Sequence, residues 1–447
     1  MSIHNPQDRH LPVRPNLDQL KHQAKDLLRA IRAGEPEAVE EFKKYHPQRA
    51  DKISAGRTPD ARHPEVTLAD AQFVLARSYG VPSWPRLVQC CQLVDAIWND
   101  DVDAVRNLIL SNPHLLTESA LVRQSNWGPP MSYAANVGRN EIIRMLHDLG
   151  ATDHRHAIDR AMLQSRIDTA HLLYDLMGRP TVPDDALGGP AYTLSVSGTA
   201  VALEFGARVV DAHGKRIAPV DVVLETDSRN PEAKHAILEM YSAHGLELPD
   251  TPVMALHRGR IDLLEEHLRR DPQLLTRTFT HEEIYPPDMG CHDEVNATQG
   301  TPLKGTTLLH LCADYDEIEI ARWLLAQGMN VDAKAAVDEE GFGGHTALFG
   351  TVVSQPNFWM NYKGGWAHTR KQLAAPFAEL LLEHGADPNL RASLRKKLHP
   401  GYGPKYDVEN TYEYRDVTPL AWGRRFHAKV FVSEPAMQLI EAAGGVE

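Results

Sequence analysis

Residues 306–333, TTLLHLCADYDEIEIARWLLAQGMNVDA, constrain this chain more than any other stretch. Thr307 stands where a hydroxyl would cap a first helix, and Gly328 where a second helix would end in a left-handed turn. Between them Ile318, Ile320, Leu324 and Leu325 fall on one side of a helix. Two helices this short cannot bury an apolar face alone, so the unit needs neighbours of its own kind. The outline recurs in GPPMSYAANVGRNEIIRMLHDLGAT from Gly128, in TPVMALHRGRIDLLEEHLRRDPQLL from Thr251 and in FAELLLEHGADPNLRA from Phe377. Weaker copies begin at Gln92, Arg155, Pro219 and Val417, for roughly eight units in all.

The T-x-L-H opening, the helix pair and the glycine stop resemble the ankyrin repeat, whose signature is T-P-L-H-x-A at a period of about 33 residues. The resemblance implies an all-α ankyrin-repeat solenoid in which His310 ties its loop to the next unit. Two helical segments, NLDQLKHQAKDLLRAIRAG and TLADAQFVLARSYGVPSWPRLVQCC, precede the repeats. A solenoid needs an end cap with one polar face, so residues 1–91 are expected to form an N-terminal helical cap. Residues 92–275 then hold the N-terminal, partly degenerate repeats, and residues 276–447 the C-terminal repeats with long loop insertions. With its N-L-x-Q-L-K-x-Q-A-K-x-L-L opening, the chain also resembles a group of bacterial ankyrin-repeat proteins over nearly its whole length. That resemblance implies a fold and no activity. Residues 188–214, richer in Val, Thr and small residues, are expected to hold a short hairpin or an irregular unit.

A net charge of −13 over 447 residues argues against a nucleic-acid partner, which needs an excess of Lys and Arg. Only residues 391–405 are locally basic. The first residues, MSIHNPQDRHLPVRP, contain no apolar leader, and no stretch approaches the roughly 18 apolar residues of a membrane span. A soluble, cytoplasmic protein is expected. Cys90, Cys91, Cys291 and Cys312 lack any C-x-x-C spacing and are expected to be free thiols.

Insertions into stacked repeats are tolerated only at loops, and loops on one side of a solenoid commonly form its binding face. Three insertions are expected, at 276–305, 354–372 and 391–416. Thr346 and Thr418 are roughly two periods apart with one full repeat visible between them. By the family pattern the groove-facing positions are Tyr133 and Asn136, Asp314 and Tyr315, Gly350 and Val353, and Trp422 and Arg425.

The first insertion carries HEEIYPPDMGCHDE, in which His281, Asp288 and His292 are candidate ligands for a divalent metal and His292 or Asp314 a candidate acid or base. The cluster matches no established ligand spacing, and a solvated acidic loop is its plain alternative. The second, SQPNFWMNYKGGWAHTRKQ, sets Trp359, Tyr362 and Trp366 beside Asn357, a combination suited to stacking and orienting a small molecule, or to anchoring a long loop. In the third, Arg391 and Arg395 are expected on one helical face, with Arg395 and Arg415 as candidate anion anchors. Two functions follow: a binding module that takes a protein partner in its concave groove, or a small-molecule-binding protein or enzyme whose pocket the insertions enclose.

Overall fold

The structure, a computed structural model, describes residues 9, 11–52, 66–122, 127–226, 229–292, 300–353, 358–362, 366–369, 374–398 and 410–447, with the backbone alone at 50–52, 358–362, 366–369, 398 and 430. The described residues form 22 α-helices and four short strands. The chain divides into two compact units, Met1–Ala161 with Asp168–Arg179, and Met162–Ile167 with Pro180–Glu447.

The first unit opens with α1 (Leu17–Ala33), α2 (Pro36–Tyr45) and α3 (Leu68–Ser78). Asn16 caps α1 by accepting from the Gln19 amide, and Leu20, Ala24, Leu27 and Ile31 recur at helical spacing to bury one face. They pack with Phe42, Val74 and Leu75 in one core. Helix pairs follow: α4 (Trp84–Trp98) with α5 (Val102–Ser111), α6 (Pro130–Val137) with α7 (Asn140–Asp148), and α8 (His154–Leu163) with α9 (Ile167–Leu176). Helix α4 packs on α6 and α5 on α7, so first helices meet first helices and second helices meet second helices.

The second unit continues the pattern with α10 (Gly188–Thr193) and α11 (Val196–Glu204), α12 (Val220–Glu225) and α13 (Pro231–Ala243), and α14 (Pro252–His257) and α15 (Ile261–Arg270). A one-turn helix, α16 (His281–Ile284), precedes three further pairs: α17 (Leu308–Tyr315) and α18 (Ile318–Ala326), α19 (Ala347–Val352) and α20 (Pro376–Glu383), and α21 (Pro419–Arg425) and α22 (Glu434–Ala442). Helix α17 packs on α19, α19 on α21, and α20 on α22. Residues 188–214 contain a helix pair followed by a turn closed by a Val210–Arg216 bridge, so both expectations for that segment are met in part.

The expectation of an all-α chain is corrected by two antiparallel hairpins, β1 (Phe358–Tyr362) with β2 (Trp366–Thr369), and β3 (Ala392–Leu398) with β4 (Asn410–Val417). The helical face expected for Arg391 and Arg395 is therefore absent: residues 392–398 are a strand. Two-residue alternation explains it. Leu394 and Tyr414 are paired and buried on one face, while Arg395 and Glu413 pair on the other.

Candidate functional site

In the second unit the turns that precede successive first helices are joined by backbone hydrogen bonds. Phe279 and Thr306 bridge, with the Phe279 amide donating to Thr306 O at 2.9 Å and the Gly305 amide to Phe279 O at 2.8 Å. The Ala336 amide donates to Gly305 O at 2.7 Å, and Ala335 and Gly344 continue the series, the Ala335 amide donating to His345 O at 2.9 Å. Gly343 and Ser393 then exchange a pair of bonds at 2.6 and 3.3 Å, which ties in the β3–β4 hairpin. Gly343 has φ +121°, and a Cβ there would run into the carbonyl of Ala336. Only glycine fits that link.

Each turn is also anchored to the helix it precedes. Thr307 caps α17 in a reciprocal box with His310, whose Nδ1 accepts from the Thr307 amide and whose Nε2 donates to His345 O at 2.9 Å. His310 thus ties its loop to the next unit through one fixed tautomer. His345 in turn donates from Nε2 to Pro302 O at 3.0 Å. Burial pushes His310 down to about 4 and His345 down to about 3, so both rings are neutral.

Against this ladder lies a cleft of about 480 Å³. Its walls come from His281 and Tyr285, from the turn at 301–305, from Ala336, Val337, Asp338, Phe342 and Gly343, and from four successive residues of β3, Leu394 to Lys397. Segments 276–305 and 391–416, each expected to be an insertion, therefore both contribute walls here. Arg395 donates to Glu340 at 2.7 and 2.6 Å and to Glu413 at 3.1 Å, and its guanidinium lies 3.9 Å from the centre of the Phe342 ring. Arg415 lies over the same ring at 4.2 Å. The hydrogen bonds that Arg395 donates to Glu340 hold Arg395 above the usual arginine range and Glu340 below the usual carboxylate range. Lys304 and Lys397 are exposed at the cleft, while Lys396 is buried. The Asp338 carboxylate accepts from the amides of Glu340 and Phe342 at 3.0 and 2.8 Å. Cations and carboxylates are thus interleaved around the cleft.

Asp314 and Tyr315, expected to face a groove, are instead buried in a charged network. Asp314 pairs with Arg229 at 2.9 Å with each side chain 1% exposed, and Arg229 also donates to Asp314 O at 3.0 Å. The Tyr315 ring has Arg229 at 4.5 Å and Lys234 at 4.3 Å, and Lys234 pairs with Glu317 at 2.9 Å. Tyr315 donates its hydroxyl proton to Leu224 O, which leaves Tyr285 as the donor in their 2.6 Å contact. Burial pulls Lys234 down from the usual lysine range, while Arg229 is raised because Asp314 and Tyr315 outweigh its loss of hydration. Asp314 Oδ1 has no hydrogen-bond partner among the described residues and faces Gly300, where a side chain would collide with it.

The other expected site residues are dispersed. Tyr133 and Asn136 are buried in the first unit: the Tyr133 hydroxyl donates to Val13 O and receives the Trp98 indole at 3.2 Å, and Asn136 accepts from Arg160 at 2.8 Å. They form no open groove floor because the Trp127 ring packs at a tilt against Tyr133 and residues 13 and 14 cover it, Arg14 lying over the Trp98 ring. Trp422 is fully buried beneath Tyr414 and Phe426, whereas Arg425 is exposed. Gly350, expected to leave room, brings α19 close to α17, since a Cβ there would lie 3.2 Å from the Ala313 Cβ. His292 is exposed and paired with Glu225 at 2.5 Å, His281 donates to His292 O at 3.0 Å, and Asp288 is exposed. Among the described residues no three His, Cys, Asp or Glu side chains gather as metal ligands. Trp359 and His368, and Tyr362 and Trp366, are partners across the β1–β2 hairpin, and Asn357 lies outside the described residues.

The residues missed from sequence are Phe342, Glu340 and Gly343. The GFGGH glycines read only as turn material, and the alternating Y-x-Y of residues 412–414 was the available strand signal.

Residues 304–336 match the ankyrin-repeat family model. The human ASB11 ankyrin repeat domain, a crystal structure, aligns with 13% identity over 71% of this chain and 99% of its own, at a TM-score of 0.27. At that score the likeness adds nothing to the geometry above. A comparison with curated proteins finds no match. The ankyrin repeat supports a protein-interaction module. No helix among the described residues is long and apolar enough to cross a membrane.

Proposed function

We propose that the chain is an ankyrin-type solenoid that binds a protein partner, and that the cleft beside the turn ladder is where contact is made. The observation that carries this reading is the fate of the groove-facing positions. Tyr133, Asn136, Asp314, Tyr315 and Trp422 are all buried against the chain's own groups, so they present no surface to a partner. The cleft, by contrast, exposes Lys304 and Lys397 beside the apolar Val337, above a Phe342 ring that is itself buried. An exposed apolar side chain ringed by charge suits a partner surface. The groove reading of the sequence is thereby moved from the first helices to the turns.

A photo-crosslinking residue in place of Lys304 tests it. Irradiated cell extract is expected to yield a discrete protein adduct that the same group in place of the exposed Glu319 on α18 does not give. Equal labelling from both positions would contradict the reading.

The cleft volume also lies in the range of small-molecule sites, roughly 300–1,000 Å³, which favours a second reading with the same walls. A metabolite and metal thermal-shift panel separates the two, because a ligand of the native state raises apparent stability by mass action. A shift lost in Phe342→Ala but kept in Trp359→Ala would place the ligand here and not at the β1–β2 hairpin.

A further inference from the structure

We propose that the floor shared by α4 and α6 is a receptor for an arginine-bearing segment of a partner protein, and that residues 11–15 are the chain's own occupant of it, held there until displaced. The site shares no residue with the cleft and stands or falls apart from it. Asp95 and Trp98 lie on α4, Asn99 caps its end, and Tyr133 lies on α6. The Arg14 guanidinium donates to Asp95 and to Asn99, each at 3.0 Å, and lies 5.3 Å from the centre of the Trp98 ring. One residue earlier, Val13 O accepts from the Tyr133 hydroxyl, which itself accepts from the Trp98 indole at 3.2 Å. A carboxylate, an amide oxygen and an indole around one guanidinium make an arginine pocket.

These groups select what covers them. Among the described residues Asp95 pairs with no cation but Arg14; Arg139 is taken by Asp100 at 3.9 Å and by the carbonyls of Ile97 and Trp98. A guanidinium fork spans Asp95 and Asn99 at once, which the single nitrogen of a lysine does not. The Tyr133 hydroxyl is buried and gives its proton to Val13 O, so an occupant that replaces residue 13 must bring a carbonyl of its own. The resident segment is lightly held. Residues 11–15 belong to no helix or strand, and among the described residues no backbone–backbone hydrogen bond joins them to the rest of the chain. The Arg14 and Asp95 side chains keep 46% and 45% of their exposure, so water screens the pair. Its tether, in contrast, keeps the segment at high local concentration.

The test uses the full chain and two labelled, blocked peptides, RHLPVRPN, which repeats residues 9–16, and RHLPVKPN, followed by fluorescence anisotropy. The unaltered chain is expected to bind the first poorly, because its tethered copy competes. Arg14→Glu sets a carboxylate against Asp95, expels that copy and should raise the affinity for the arginine peptide about tenfold. Adding Asp95→Ala should remove the gain, and the lysine peptide should bind about fivefold more weakly than the arginine one. Should Arg14→Glu lower the thermal midpoint, Arg14→Ala takes its place with the same expectations. Equal affinity of the unaltered and altered chains, equal affinity of the two peptides, or a gain that survives Asp95→Ala would overturn the proposal. A concentration-dependent dimer of the unaltered chain that Arg14→Glu abolishes would overturn it too, by making a second copy's residues 11–15 the occupant.

Discussion

The inner positions of the first unit and those of the second are filled by the same kind of residue and closed in opposite ways. Tyr133 and Asn136 sit on α6 beneath Trp127 and the segment at Val13 and Arg14, held by ring contacts and single hydrogen bonds, including one from Arg160, with no carboxylate. Asp314 and Tyr315 sit at the end of α17 beneath Arg229 and Lys234, held by two ion pairs nearly sealed from water. The first closure is made by a terminal segment and is separable from the repeats. The second belongs to them: the Arg229 guanidinium and the end of α17 satisfy each other, and neither can leave without stranding a charge.

Asp314→Ala breaks this contrast most severely. It leaves the Arg229 guanidinium buried without its carboxylate and should cost about 3–5 kcal/mol in urea unfolding of the second unit. Arg229→Met with Asp314→Leu should recover most of that loss, since an apolar pair of similar volume replaces the ion pair. Acid is the next lever. His310 and His345 are held at about 4 and about 3, below the ordinary histidine range near 6.5, so the folded state refuses protons that the unfolded chain accepts. Their contribution is whole above about pH 6.5 and falls by roughly 1.4 kcal/mol per histidine per pH unit as pH drops toward those values. Amide exchange at pH 7 and pH 5 should show the 305–345 region loosening more than α1–α3.

A third prediction concerns the ladder. Gly343→Ala forces a side chain into the Ala336 carbonyl at a backbone angle that disfavours it and should cost about 1–3 kcal/mol. Faster amide exchange at Ser393 would report the lost link. Tyr133→Phe, the smallest change, removes the hydrogen bonds to Val13 O and from the Trp98 indole and should cost about 1–2 kcal/mol, seen as earlier proteolysis near residue 13. A larger loss there than for Asp314→Ala would invert the comparison.

The repeats were legible because their marks are local. Thr307, His310 and Gly328 each act within a few residues of their place in the chain, and all three do in the structure what the stretch implied. Nine helix pairs stand among the described residues where roughly eight copies were visible, the extra one being α10–α11. Its first helix ends on Leu194 with φ 52°, a left-handed stop that is rarely made by leucine and so left no glycine to find. The site was less legible. Arg395 was singled out as an anion anchor, but its partner Glu340 is 55 positions away in another turn, and no spacing rule connects them. Tyr133, Asn136 and Tyr315 were read as groove-facing and are buried, since a repeat pattern says which way a side chain points and not what lies over it. Helical spacing of Arg391 and Arg395 misled because a run of seven residues fits both periods, and only the cross-strand partners in β4 decide between them.

The most direct test of the account is residue-resolved amide exchange of the full chain, alone and with the protein captured through position 304. The account predicts slowed exchange at Arg395, Lys397 and the 336–343 turn, with α6 unchanged. Protection confined to α4 and α6, with release of residues 11–15, would show that the partner displaces the terminal segment and binds the first unit's groove, and would contradict it.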